Sequence, residues 1–296
     1  MNMKKCLFLL LLIASLHADA QTSYYITSAD NTKLFVQEFG QGEPIIFLAG
    51  GPGFNASYLE PLWKNLSSKY RCIVLDQRGT GKSALTTIDE HTFTMDNYVN
   101  DLEALRTHLK VDKFTLLGHS WGGALAMVYA ARYPLFAPKL ILLSSAGPSS
   151  KVFRYFWDNI SMRLYPEDWK EMAICDSLKK PIIKAILPGY FFDRKRALEI
   201  KALLNMDDYN AKAESLTWPA YAADENKRVD ALKSYKGKVS LIQGRQDPVG
   251  ESTAYEIKEL MPQTSIHFIE KCGHFPWLEN DDQAREFFEA LNAAMN

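Results

Sequence analysis

Residues Gly118-His119-Ser120-Trp121-Gly122-Gly123 hold a serine between two glycines two positions away on either side. An apolar run precedes the motif and an alanine-rich stretch of good helix formers follows it. A serine on so sharp a strand-to-helix turn needs small neighbours, and the strained backbone lifts its hydroxyl above the sheet. The chemistry this suggests is nucleophilic attack by Ser120. A serine hydroxyl needs a base, and the base needs an orienting carboxylate.

Six histidines compete for the role of base. His17 falls in a leader-like segment, His91 in a polar loop, His108 on a charged helix and His267 within a strand. His119 adjoins the serine, where its ring is expected to point away. His274 lies in Lys271-Cys272-Gly273-His274-Phe275-Pro276, just beyond a strand-like run at 265–270, where a loop faces a site at the strands' carboxyl ends. Asp247 follows the apolar run 239–243 and a glycine turn, so the chain order is Ser, Asp, His. The expected oxyanion donors are the amide of Trp121, next to the nucleophile, and that of Gly51. Gly51 lies in Gly50-Gly51-Pro52-Gly53, directly after the apolar run 44–49.

These pieces, together with Asp76-Gln77-Arg78-Gly79-Thr80-Gly81-Lys82-Ser83, resemble the α/β-hydrolase superfamily from residue 24 to the C-terminus. Within it the chain is most similar to the proline iminopeptidases. The resemblance implies a triad at Ser120, Asp247 and His274 and oxyanion amides at Gly51 and Trp121. Two departures stand out. The family's oxyanion loop usually begins with histidine, and Ala49 occupies that place. A Trp-x-x-Trp-Glu element in the family's cap supplies a carboxylate for the substrate's amino group, whereas the nearest match here is Trp218-Pro219-Ala220-Tyr221-Ala222, with alanine at the acid. Glu214, Asp224 and Glu225 are candidate replacements, and Trp218 and Tyr221 candidate pocket residues.

The elements required to position these groups can be read from periodicity. Strand-like runs fall at 24–27, 34–39, 45–49, 72–75, 114–117, 140–144, 239–243 and 265–269, with helical patterns between them from about the fourth strand onward. In 96–109, Val99, Leu102, Leu105 and Leu109 recur at helical spacing. The expectation is an α/β fold: a mostly parallel, eight-stranded, doubly wound sheet with helices on both faces. The alternation breaks at 148–235, a helical stretch rich in aromatic residues, which reads as a cap inserted between a core part at 21–147 and a second at 236–296.

Gly81-Lys82-Ser83 imitates the end of a phosphate-binding loop. That loop requires a glycine where Asp76 stands, so the segment is expected to brace the structure. A length of 296 residues with 47% apolar content suits one domain carrying an insertion. A net charge of −1 argues against nucleic acid as a partner. The mechanism calls for neither metal nor organic cofactor, and the three cysteines beyond the leader, Cys72, Cys175 and Cys272, lack zinc-ligand spacing.

Residues 1–20 read as a signal peptide: a basic start, an apolar run at 7–16 too short to span a bilayer comfortably, and Ala18-Asp19-Ala20 as a cleavage site. The expected mature protein starts at Gln21, is periplasmic or secreted, and has no stable membrane insertion. Three functions remain open: an aminopeptidase releasing an N-terminal proline or another small residue from a small peptide, an esterase or lipase-like enzyme of small acyl esters, and a non-catalytic binding protein on a hydrolase fold.

Overall fold

The computed structural model describes residues 21–203 and 209–296; the expected signal peptide lies outside them. Eight strands form one sheet: β1 (Thr22–Thr27), β2 (Lys33–Phe39), β3 (Pro44–Leu48), β4 (Arg71–Leu75), β5 (Thr115–His119), β6 (Lys139–Leu143), β7 (Lys238–Gly244) and β8 (Ser265–Ile269). Their spatial order is β1-β2-β4-β3-β5-β6-β7-β8. Only β2 runs against its neighbours, pairing antiparallel with β1 and β4; every other pairing is parallel. The two faces are covered by separate apolar layers, as a parallel sheet requires. On β3, Ile46 and Leu48 belong to one layer and Ile45 and Phe47 to the other, and β5 and β6 divide in the same way. Alternation along a strand thus sends consecutive apolar residues to opposite cores.

Helices α1 (Glu60–Leu66), α2 (Met95–Leu109) and α3 (Trp121–Arg132) join the first six strands. The helix between β3 and β4 corrects the expectation that helices begin only after the fourth strand. With seven residues and a proline in its first turn, α1 is too short for a clear periodicity. Between β6 and β7 lie α4 (Phe156–Ser161), α5 (Pro166–Ser177), α6 (Ile183–Ile186), α7 (Arg194–Leu203), α8 (Ala211–Ala223) and α9 (Glu225–Leu232). They form the inserted helical segment. Helices α10 (Glu251–Leu260) and α11 (Asp281–Met295) complete the core.

The Asp76–Ser83 loop braces the fold. The Arg78 guanidinium is wholly buried and bonds both Asp101 oxygens at 2.7 and 2.6 Å, Asp30 at 2.9 Å and the Thr92 carbonyl at 2.8 Å. Ser83 Oγ accepts from Phe35 N at 2.8 Å and donates to the Asp76 carbonyl at 2.7 Å, tying β2 to the end of β4.

Candidate active site

Ser120 occupies the turn between β5 and α3 with φ 53° and ψ −117°, a conformation that non-glycine residues seldom adopt. The turn is held from outside: Ser120 N donates to the Leu143 carbonyl at 2.9 Å, and the Ser120 carbonyl accepts from Gly123 N and Ala146 N, each at 3.0 Å. A Cβ at Gly118 would collide with the Gly122 carbonyl, and one at Gly122 with the Leu48 carbonyl. The motif's glycines are therefore required by close approach of backbone to backbone.

His274 lies in the loop after β8 and Asp247 in the loop after β7; they are 2% and 3% exposed. His274 Nδ1 is 2.8 Å from Asp247 Oδ1, which also accepts from Val249 N at 2.9 Å. Asp247 thereby places the proton on Nδ1 and leaves Nε2 as the basic atom. Ser120 and His274 line one cavity of about 210 Å³ together with Gly50 and Gly51. Gly50 N donates to the Tyr58 hydroxyl at 2.6 Å. The amides of Gly51 and Trp121 are left without an acceptor among the described residues. The arrangement can therefore present a hydroxyl, a buried and oriented imidazole, and two free amides at one place.

The loop that starts at Ala49 has other support than a histidine. Gln77 Nε2 donates to the Ala49 carbonyl at 2.9 Å, and Gln77 Oε1 accepts from Trp121 Nε1 at 2.9 Å. One side chain thus ties the loop after β3 to the first residue of α3.

The cap forms the cavity's roof. Val152, Phe153, Phe156, Ile183, Leu187 and Trp218 contribute apolar wall, and Tyr190 and Tyr209 bring hydroxyl-bearing rings. Among the described residues, Glu214, in the first turn of α8, is the acid that lines the cavity. Burial pushes its carboxyl above the ordinary carboxylate range, while a hydrogen bond from Tyr209 acts in the opposite direction.

Of the five cap residues expected to bind substrate, Glu214 and Trp218 face the cavity and three do not. Tyr221 lies one turn past Trp218, fully buried, where its hydroxyl donates to the Gly147 carbonyl at 2.6 Å and Arg228 stacks on its ring at 3.6 Å. Asp224 stands where α8 has ended and pairs with Arg132 at 3.0 Å and Arg228 at 3.4 Å. Glu225 accepts from Ser150 N at 2.9 Å, joining the start of the inserted segment to the start of α9. Each is used by the cap's own framework.

His119 is also corrected. Its ring does not point away: it lines the cavity, bonds the Tyr58 hydroxyl through Nδ1 at 2.8 Å and the His274 carbonyl through Nε2 at 3.0 Å. Sequence reasoning missed Tyr58, Tyr209 and Asn210. The absence of a histidine at position 49 was the available signal for Tyr58, because a loop that lacks one brace needs another.

The alpha/beta hydrolase fold family matches residues 43–281. A proline iminopeptidase of Lactobacillus crispatus (strain ST1) is 40% identical over 267 residues, covering 81% of this chain and 86% of that protein. One from Arabidopsis thaliana is 33% identical over 150 residues, 48% of this chain and 38% of that longer protein. Among solved structures, an esterase from Exiguobacterium antarcticum superposes with a TM-score of 0.70 at 22% identity, over 93% of this chain and all of that one. The chain belongs to the α/β-hydrolase fold family and has proline iminopeptidases among its relatives.

Proposed function

We propose that this α/β hydrolase is an exported serine peptidase that works through an acyl-enzyme and releases an N-terminal proline or another small residue from short peptides. The observation that carries the peptidase reading is Glu214, a carboxylate facing a largely apolar cavity that also contains Ser120 and His274. An ammonium group is the natural partner of a partly buried carboxylate, because each relieves the other's desolvation.

His274 Nε2 takes the Ser120 proton as Oγ attacks the carbonyl carbon. The amides of Gly51 and Trp121 donate to the oxygen that becomes negative, and that stabilisation is present before the reaction starts. His274 then gives its proton to the leaving nitrogen, and in the second half it activates the water that cleaves the acyl-enzyme. Asp247 holds the tautomer and stabilises the imidazolium. Glu214 anchors the free amine, so only a residue at the chain's start places its carbonyl at Ser120.

The test compares proline and alanine arylamides with their N-acetyl derivatives and with acyl esters, using purified protein. Turnover of free-amine arylamides should disappear on acetylation. Glu214→Gln should lower kcat/KM for them by roughly 10-fold to 100-fold, the scale of a lost charge-assisted hydrogen bond, and leave esters nearly unaffected. Ester turnover alone would sink the peptidase reading in favour of an esterase, the alternative supported by the cavity's apolar walls. Export rests on the leader-like residues 1–20. Protein recovered outside the cytoplasm should begin at Gln21; full-length protein confined to the cytoplasm would contradict this.

A further inference from the structure

One buried chain of hydrogen bonds lies beside the groups assigned above. It starts at Gly50 N, which donates to the Tyr58 hydroxyl at 2.6 Å. The hydroxyl is 2.8 Å from His119 Nδ1, and His119 Nε2 is 3.0 Å from the carbonyl oxygen of His274. The proton positions follow from the ends. The Gly50 amide can only donate, so Tyr58 Oη receives that hydrogen, and pointing its own at Nδ1 is the arrangement that pairs every hydrogen of the relay. The His274 carbonyl can only accept, so Nε2 carries the imidazole hydrogen. In that arrangement His119 is neutral, in keeping with a burial that pushes its pKa down. A neutral ring is also what the site needs, since the His119 and His274 ring centroids are only 4.7 Å apart and His274 becomes cationic during acyl transfer.

The relay joins the loop after β3, the residue before Ser120 and the backbone of the catalytic histidine. Tyr58 itself does not line the cavity. Its ring packs on Trp277 with centroids 6.3 Å apart and edge-on to Phe275 at 6.1 Å, so only its hydroxyl reaches the site's backbone. Removing that hydroxyl would leave the Gly50 amide free to rotate, and the Gly51 amide hangs on the same short loop.

We propose that Tyr58 and His119 are positioning residues for acyl transfer: the relay, anchored on the His274 carbonyl, fixes the Gly50–Gly51 backbone so that the Gly51 amide meets the developing oxyanion. The proposal rests on the Ser120 acyl-enzyme reading. Its effect is on the transition state, so it belongs in kcat and not in KM.

Tyr58→Phe keeps the ring and removes the hydroxyl. With an activated ester and its thionoester analogue as substrates, kcat on the oxygen ester should fall by about 10-fold to 100-fold, the scale of a small misplacement of reacting groups, with KM changed by less than about 2-fold. Sulfur accepts weakly from oxyanion donors. A disturbed donor therefore hurts the oxygen ester more, and the oxygen-to-sulfur rate ratio should shrink several-fold. His119→Gln should lose kcat similarly, and the double variant should lose no more than the worse single variant, as members of one relay do. Should Tyr58→Phe fail to fold, His119→Gln carries the same two readouts. An unchanged kcat, or a fall in kcat with an unchanged oxygen-to-sulfur ratio, overturns the proposal. Wild-type protein that a fluorophosphonate does not label, or labels equally after Ser120→Ala, overturns the acyl-enzyme reading, and the proposal goes with it.

Discussion

Asp247 uses one carboxylate oxygen for two hydrogen bonds, from His274 Nδ1 and Val249 N, while buried Oδ2 has no partner among the described residues. All of its orienting capacity is thus spent on Oδ1. Asp247→Asn would present an amide there whose NH2 can point at Nδ1 and favour the wrong tautomer. Turnover should drop by on the order of 10⁴-fold with little change in KM, measured on whichever acyl substrate the wild type hydrolyses. A loss below about 10-fold would show that Asp247 is not the orienting acid. That Ser120, Asp247 and His274 come together was legible because each follows a strand and the chain order restricts the choice. The proposed amine anchor was not legible to the same degree. Glu214, Asp224 and Glu225 are similar acids within a dozen residues, and only helix phase and the end of α8 turn the first into the cavity and the other two toward Arg132, Arg228 and Ser150. Glu214 also makes a pH claim. Its pKa is raised by burial, so the charged form needed for an ammonium is lost as pH falls through that raised value. The kcat/KM of free-amine substrates should accordingly fall at acid pH beyond the fall that esters share through the common base, and Glu214→Gln should remove that extra dependence.

Among the elements, α8 sets where that anchor stands. Its N-cap is Asn210, whose Oδ1 accepts from Lys212 N and Ala213 N, both at 3.1 Å. The same residue docks the helix on the core: Asn210 N donates to the Gly53 carbonyl at 3.0 Å, and Nδ2 to the Gly79 carbonyl at 2.8 Å. The approach is so close that a Cβ on Gly53 would sit 3.0 Å from the Tyr209 ring. Glu214, one turn into α8, is in this way indexed to the loop that carries Gly51. Asn210→Asp keeps the capping oxygen but replaces the donor to Gly79 with a second acceptor. KM for a free-amine arylamide should rise by about 10-fold or more, the cost of one buried acceptor left unpaired, while ester kcat stays within about 2-fold. Equal KM values would separate the anchor from this docking. The strands behind these elements could be read as apolar runs because both sheet faces are buried. The docking could not, since it depends on long-range backbone contacts that leave no periodic trace.

Across the whole molecule, the sheet and its two apolar layers hold ionisable groups in neutral surroundings, and the pH response of stability follows from which form each group prefers. His119 lies at the centre, 1% exposed, with its pKa held well below 6.5 by burial first and by the charge of His274 second. Below pH 6.5 the unfolded chain binds a proton there that the folded chain does not. The stability contributed by the neutral ring is complete above that pH and declines as pH falls toward the folded value, by up to about 1.4 kcal/mol for each pH unit. Asp76, Glu214 and Glu279 act in the opposite sense. Burial raises all three, so the folded protein takes up their protons first as pH falls and gains stability from doing so. The net slope mixes the two, and a comparison of variants separates them. His119→Gln cannot titrate, so its Tm should fall less than that of the wild type between pH 6.5 and 5. Parallel curves would mean that His119 takes up a proton in the folded protein as readily as in the unfolded chain, at the cost of turning the Tyr58 hydroxyl hydrogen away from Nδ1.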